Sequence, residues 1–167
     1  MAQLPWHEYA GESAAQLLAL SATHRLDSLA VAFETALGQK AFKLGDAALS
    51  VAERDVLAIE ALEREVNNGG YGQFFGNSSN EYANTIVAAL HRIGCAQTAT
   101  VTDQAIAALP KGIALSSVSL EAEMGRQDDE RDSRLEACDQ AYFSAGEDIA
   151  SALMGYLDNH RDELRLP

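Results

Sequence analysis

Basic residues are scarce in this chain: 12 Lys and Arg stand against 25 Asp and Glu, a formal net charge of −13. A surface so charged repels phosphates, which argues against direct binding of a nucleic-acid backbone. Long apolar runs are missing too, and with them any segment of membrane-spanning length. The opening MAQLPWHEYAGES has neither the basic start nor the apolar stretch of a secretory leader, so a cytoplasmic protein is expected. Only Cys95 and Cys138 are present, far apart and outside any CxxC pattern, which excludes a disulfide scaffold and points to reduced, buried thiols. His7, His24, His91 and His160 are scattered, with no HExxH and no His–Cys cluster, so neither metal nor cofactor is expected. GxGxxG, P-loop and GxSxG motifs are absent as well. With 12 Gly and 3 Pro the chain is neither collagen-like nor a linker.

What the chain does have is helical periodicity. Hydrophobic residues make up 47% of its 167 residues, enough for one domain with a substantial core. Val56, Ile59, Leu62 and Val66 share one helical face, and so do Tyr82, Ile86, Leu90 and Ile93. Ile149, Leu153, Tyr156, Leu157, His160 and Leu164 make a third stripe, and a more ragged one runs through Leu26, Leu29, Val31, Phe33 and Leu37. Capping boxes are expected at Ser50/Glu53, Ser78/Glu81 and Ser144/Glu147. Gly38, Gly45, Gly69 and Gly94 read as helix stops. GIALSSVSL (112–120) is a lone alternating stretch without a partner strand, and reads as an extended connector. The expectation is an all-α protein, a single domain of about six to eight helices, with its clearest internal joint at Pro110–Gly112.

One stretch interrupts this pattern: EREVNNGGYGQFFGNSSNEYA, residues 63–83. Asn67 and Asn68 compete with the helix for backbone partners, and Gly69 or Gly70 can take the left-handed conformation that ends it. Tyr71, Phe74 and Phe75, spaced i, i+3, i+4, put three rings on one side of the next turn, and Ser78 opens the following helix. A buried corner accounts for all of this: amides satisfy orphan backbone groups and aromatics fill the space between helices. The competing account is a pocket beside the three rings, with Asn67, Asn68 or Gln73 turned toward a small ligand or substrate. Asn and Gln have no useful pKa, and no nucleophile with a paired base accompanies them.

EVNNGGYGQFFGNSSNEYA, followed by a helix ending ALHRIGC, resembles the core motif of the DNA mimic protein 19 family, a bacterial domain. In it fall Asn67, Asn68, Gly69, Gly70, Tyr71, Gln73, Phe74, Phe75, Asn77 and Ser78, all read as structural. Tyr71 stands where Phe is usual and Asn80 where Gly is common. ACDQAYFSAGEDIASALMGYL is similar to the family's C-terminal helices, so the resemblance covers roughly 50–165, while residues 1–45 resemble no family. It implies an all-α fold and a role in which carboxylates are offered to a DNA-binding protein in place of phosphates. No set of mimic residues transfers position by position.

The acids can be placed from this sequence alone. Residues 121–148 hold ten acids and three arginines. Asp128, Asp132, Glu136 and Asp139 fall at i, i+4, i+8, i+11, one face of a helix about 16 Å long at 1.5 Å rise per residue. Phosphates advance about 3.4 Å each along a strand, so neighbouring acids such as Asp129 and Glu130 would have to join them. Glu130 and Arg134 have the spacing of an ordinary ion pair, and a solvated face is the competing account of the whole stripe. The expected function is thus non-catalytic binding of a basic, DNA-binding protein through Asp128, Asp129, Glu130, Asp132, Glu136 and Asp139. The alternatives are a small-ligand site or enzyme at the aromatic corner, and an immunity or antitoxin protein that uses the same acids. The sequence names neither the partner nor the oligomeric state.

Overall fold

The computed structural model describes residues 3–167, which form eight α-helices joined by loops and short 3-10 turns, with no strand among them. The helices are α1 (Ala14–Ala19), α2 (Leu26–Leu44), α3 (Val51–Gly76), α4 (Ile86–Arg92), α5 (Ala96–Ala107), α6 (Ser117–Met124), α7 (Asp129–Ser144) and α8 (Ile149–Asn159). The all-α expectation holds. No helix among the described residues is long and apolar enough to cross a membrane.

Contacts cluster in two units. The first combines the chain up to Glu60 with Asp148–Pro167, and so contains α1, α2, the start of α3 and α8. Its core follows the periodic stripes: Leu29, Phe33 and Leu37 of α2, Val56 and Ile59 of α3, and Leu153 and Leu157 of α8 have almost no exposed surface. Ser50 and Glu53 make the expected reciprocal box at the start of α3, at 2.9 and 3.1 Å. The Glu53 carboxylate is fully buried and also accepts the Lys40 ammonium at 2.7 Å and the Arg165 backbone N–H at 2.7 Å. A buried charge needs partners of this kind, because an unpaired one costs several kcal/mol, roughly 3–5 when a buried pair is broken. Asp55 accepts the Tyr156 hydroxyl at 2.9 Å, which ties α3 to α8.

The second unit, Ala61–Glu147, holds the rest of α3 and α4 to α7. Leu62, Val66, Ile86, Leu90, Leu120 and Leu135 form its core with the corner aromatics. Pro110 and Gly112 lie in the loop between α5 and α6, inside this unit. The 112–120 stretch is only half extended, since Ser117–Leu120 already belong to α6, whose first turn the Ser116 hydroxyl caps.

Three local readings are corrected. Gly38 does not stop a helix; α2 runs through it to Gly45. The Ser78/Glu81 box does not form, because a 3-10 turn without a side-chain cap occupies Ser78–Tyr82. Neither does Ser144/Glu147: Asp148 caps α8 instead, and Glu147 bonds elsewhere.

Candidate functional site

Helix α3 breaks at Gly69 (φ −160°) and Gly70 (φ +76°, ψ −173°) and resumes at Tyr71. Gly70 takes backbone angles that essentially only glycine adopts. Restarting a helix leaves its first N–H groups without intrahelical acceptors. One of them, the Tyr71 N–H, donates to Asp139 Oδ1 of α7 at 2.7 Å. That carboxylate lies so close to Gly70 that a Cβ there would come within 2.2 Å of Oδ2. Burial raises the Asp139 carboxyl above its ordinary range; the Tyr71 N–H opposes this and Glu136 adds to it.

The rings fill the corner. Tyr71, Phe74 and Phe75 have no exposed surface. Tyr71 stacks on Phe75 at 6.3 Å and meets Tyr142 of α7 edge-on at 6.0 Å. The Thr102 hydroxyl donates to the Thr98 carbonyl at 2.8 Å, so the Tyr71 hydroxyl is the donor in its 2.8 Å bond to Thr102. Burial pushes the Tyr71 hydroxyl pKa well up, so it remains protonated. Asp139 and Tyr142 thus join α7 to the corner through one charged and one aromatic contact.

The amides behave differently from expectation. Asn67 and Asn68 are both exposed, and Asn67 only reaches back one turn to the Glu63 carbonyl. Neither satisfies a buried group, because the helix breaks after them and its orphan donor is met from α7. The buried polar centre is Glu65, only 7% exposed, which no sequence signal singled out. It accepts from Gln73 at 2.7 Å, Asn77 at 2.9 Å and the Ser79 hydroxyl at 2.9 Å. Burial works to raise its pKa, but these three donors outweigh burial and hold it below the ordinary value. Ser78, the expected cap, is exposed. Gln73 therefore spends its amide inside the corner, and the three rings line no open space.

On α7 the structure sorts the six candidate acids. Asp128 is the N-cap and accepts the Arg131 backbone N–H at 3.0 Å. Asp132 is half-exposed and pairs with the buried Arg131 guanidinium at 2.7 Å; the same guanidinium bonds the buried Glu123 at 3.0 Å and the Arg126 carbonyl at 2.9 Å. Asp139 faces the corner. The remaining three, Asp129, Glu130 and Glu136, are exposed and have no ion pair. The spacing of Glu130 and Arg134 permits a pair that does not form. The even row of four acids is thus divided: its two ends and Asp132 hold the helix in place, and the unpaired charge lies at Asp129, Glu130 and Glu136.

Another unforeseen carboxylate, Glu147, accepts the Gln97 and Thr98 backbone N–H groups at 3.0 and 2.8 Å and the Thr98 hydroxyl at 2.7 Å. It caps α5 from about fifty residues away in sequence. Burial opposes its ionisation, but the three donors prevail and lower its pKa. Among the described residues, no three His, Cys, Asp or Glu side chains come together as metal ligands.

The model of a family described as DMP19-like protein matches residues 47–160, about two thirds of the chain and including the corner and all of α7. No curated protein matches the sequence.

Proposed function

The chain belongs to the DMP19-like protein family, and from that premise we propose that it acts without catalysis, in the cytoplasm, by presenting α7 to a basic, DNA-binding protein in place of DNA. The observation that carries this reading is the division of labour on α7. Its inner edge is anchored by Asp139 and Arg131, and Asp129, Glu130 and Glu136 are left exposed and without an ion pair among the described residues, Glu130 sharing a groove with Lys111 and Arg134. An anchored helix loses little backbone freedom on binding. Charges of one sign also speed encounter with an oppositely charged surface and disfavour other partners.

The corner supports a ligand site less well. Its rings are fully buried, and its amides are exposed, bonded to Glu65 or, for the buried Asn80, bonded to the Phe75 carbonyl at 3.0 Å. A toxin-neutralising role would use the same three acids, and the identity of the captured partner separates it from mimicry.

The test compares Asp129→Asn/Glu130→Gln/Glu136→Gln with a control of equal charge change, Glu8→Gln/Asp46→Asn/Glu163→Gln, at exposed positions of the first unit. Each is used to capture proteins from a bacterial lysate at low salt, with elution by rising salt. The α7 variant should lose its partner at lower salt than the control, and the captured protein should bind either this chain or duplex DNA, never both. Equal losses in the two variants, or a captured protein that still binds DNA while held, would overturn the reading.

A further inference from the structure

The acidic flank of α7 continues into an aromatic. Asp129, Glu136 and Phe143 are each seven residues apart, and Asp132 falls between the first two. At 100° per residue these four lie within a sector of about 60°. Phe143 is 59% exposed, while its neighbour Tyr142 is buried against Tyr71. Two turns beyond Glu136, Phe143 meets the core only through an edge-on contact with Tyr142 at 5.5 Å, and most of its ring is left in water. A seven-residue repeat is also the period at which two gently supercoiled helices meet along a seam. Other exposed apolar residues, such as Phe42 on α2, lack a charge pattern that would define what covers them.

We infer that Phe143 is the apolar anchor of this surface, and that the segment it receives is a cationic amphipathic helix carrying two Lys or Arg seven residues apart and an apolar residue seven positions beyond that pair on the same face. The charges select that chemistry. Basic side chains at seven-residue spacing, about 10.5 Å apart along an axis, match Asp129 and Glu136, and an acidic or neutral helix would gain nothing there. The aromatic sets the end of the register: the partner's apolar residue must lie seven positions beyond its basic pair, after that pair in a parallel approach and before it in an antiparallel one. Charge pairs at the exposed positions would govern encounter and salt dependence, whereas the desolvated ring would slow dissociation. The inference rests on the acidic-surface reading above and adds to it the shape and register of the partner's contact.

Two fluorescein-labelled, alanine-rich helical peptides, one with Arg at i and i+7 and Leu at i+14 and one with Leu at i and Arg at i+7 and i+14, are compared by fluorescence anisotropy across a salt series, and the tighter binder serves as the probe. Phe143→Ser should bind it about tenfold more weakly than the wild type with an unchanged salt slope, the effect of exposing roughly half a Phe side chain. Phe143→Leu should restore most of the affinity. A probe with Ser in place of Leu should bind the wild type as weakly as Phe143→Ser binds the original, and combining the two changes should cost no more. Asp129→Asn/Glu136→Gln should flatten the salt slope with either probe. The inference is overturned if Phe143→Ser binds like the wild type, if it weakens both probes equally, or if its only effect is to abolish self-association in sedimentation. Should Asp129→Asn/Glu136→Gln alone leave both affinity and slope unchanged, the acidic-surface reading fails with it. An altered slope with no effect of Phe143 sinks only the anchor.

Discussion

Replacing Gly70 by Ala tests the corner at its tightest point. Two costs arise. A residue with a Cβ at φ +76° and ψ −173° occupies a region open essentially to glycine alone, at about 1–3 kcal/mol. The new Cβ would also lie 2.2 Å from Asp139 Oδ2 and 2.5 Å from its Cγ, so the carboxylate has to leave the Tyr71 N–H. Losing a hydrogen bond to a charged acceptor costs about 1.5–3 kcal/mol. Gly70→Ala should therefore lose about 3–6 kcal/mol in all. Asp139→Ala alone should lose only the second part. The double variant has no carboxylate left to displace, so it should be about as stable as Gly70→Ala, and the two losses should fall short of additivity by about 1.5–3 kcal/mol. Gly69→Ala is the comparison. Its φ of −160° suits any residue, but its Cβ would lie 2.1 Å from Gln73 Oε1 and 3.1 Å from Gln73 Cβ. It should therefore lose the Gln73–Glu65 hydrogen bond, about 1.5–3 kcal/mol, without the strain of Gly70 and without touching Asp139. Urea unfolding followed by far-UV circular dichroism reads all four variants; fluorescence of the single tryptophan, Trp6, reports on the other unit. Strict additivity of Gly70→Ala and Asp139→Ala would refute the proposed contact.

Asn67→Ala and Asn68→Ala should each shift stability by less than about 0.5 kcal/mol, since both side chains are exposed; a melting loss like that of Gly70→Ala would restore them to the buried centre. Glu65→Ala should cost about 1–3 kcal/mol because the buried Ser79 hydroxyl loses its acceptor. Glu65 and Glu147 both have pKa values lowered by folding, so their contribution is complete above the ordinary glutamate range and disappears as pH falls through their folded values. Asp139, raised by folding, has the opposite sign: its stabilising share is full at low pH and is lost as pH rises through its folded value. Below about pH 4.5 the stability curve should thus fall, and Glu65→Gln/Glu147→Gln should flatten that fall; an unchanged acid limb would contradict the two carboxylate cages. Cys95 and Cys138 are buried, and burial raises the Cys138 thiol, so both should react with a thiol reagent only as fast as the protein opens.

The elements that could be read from sequence are those whose signal is local. The stripes through Val56 to Val66 and Ile149 to Leu157 are set by period alone, and the structure buries them; beyond α8 the period lapses, with His160 only part-buried and Leu164 buried from outside the helix. The Ser50/Glu53 box is likewise complete within one helical turn. The misread residues belong to long-range contacts. Glu147 has the spacing of a local cap but is claimed by the start of α5. Asp139 has the spacing of an exposed acid row, and helical arithmetic gives its direction but not what packs on that flank. Asn67 and Asn68 looked like the polar centre because they interrupt the apolar run. The centre is Glu65, hidden because its partners Gln73, Asn77 and Ser79 lie beyond the break, where helical spacing no longer predicts neighbours. At the candidate site the sequence showed which helix carries the acids, and only the structure showed which of them are unpaired.

The first unit is assembled from both sides of an insertion. Glu53 takes its last hydrogen bond from the backbone of Arg165, 112 positions later, and Asp55 takes one from Tyr156, 101 positions later. Residues 61–147, by contrast, are contiguous. Once the chain is free to fold, the contiguous second unit can mature before the first, the reverse of their order in the sequence. The segment up to Glu60 comes first, with Leu29, Phe33 and Leu37 lacking the α8 residues that complete their core. The second unit can close as soon as Glu147 reaches the start of α5, while the first waits for Asp148–Pro167. During that interval the chain carries an uncovered apolar face and a Glu53 carboxylate one donor short. A lesion that removes Tyr156 and Arg165 should therefore make the protein a client of chaperones through the segment up to Glu60.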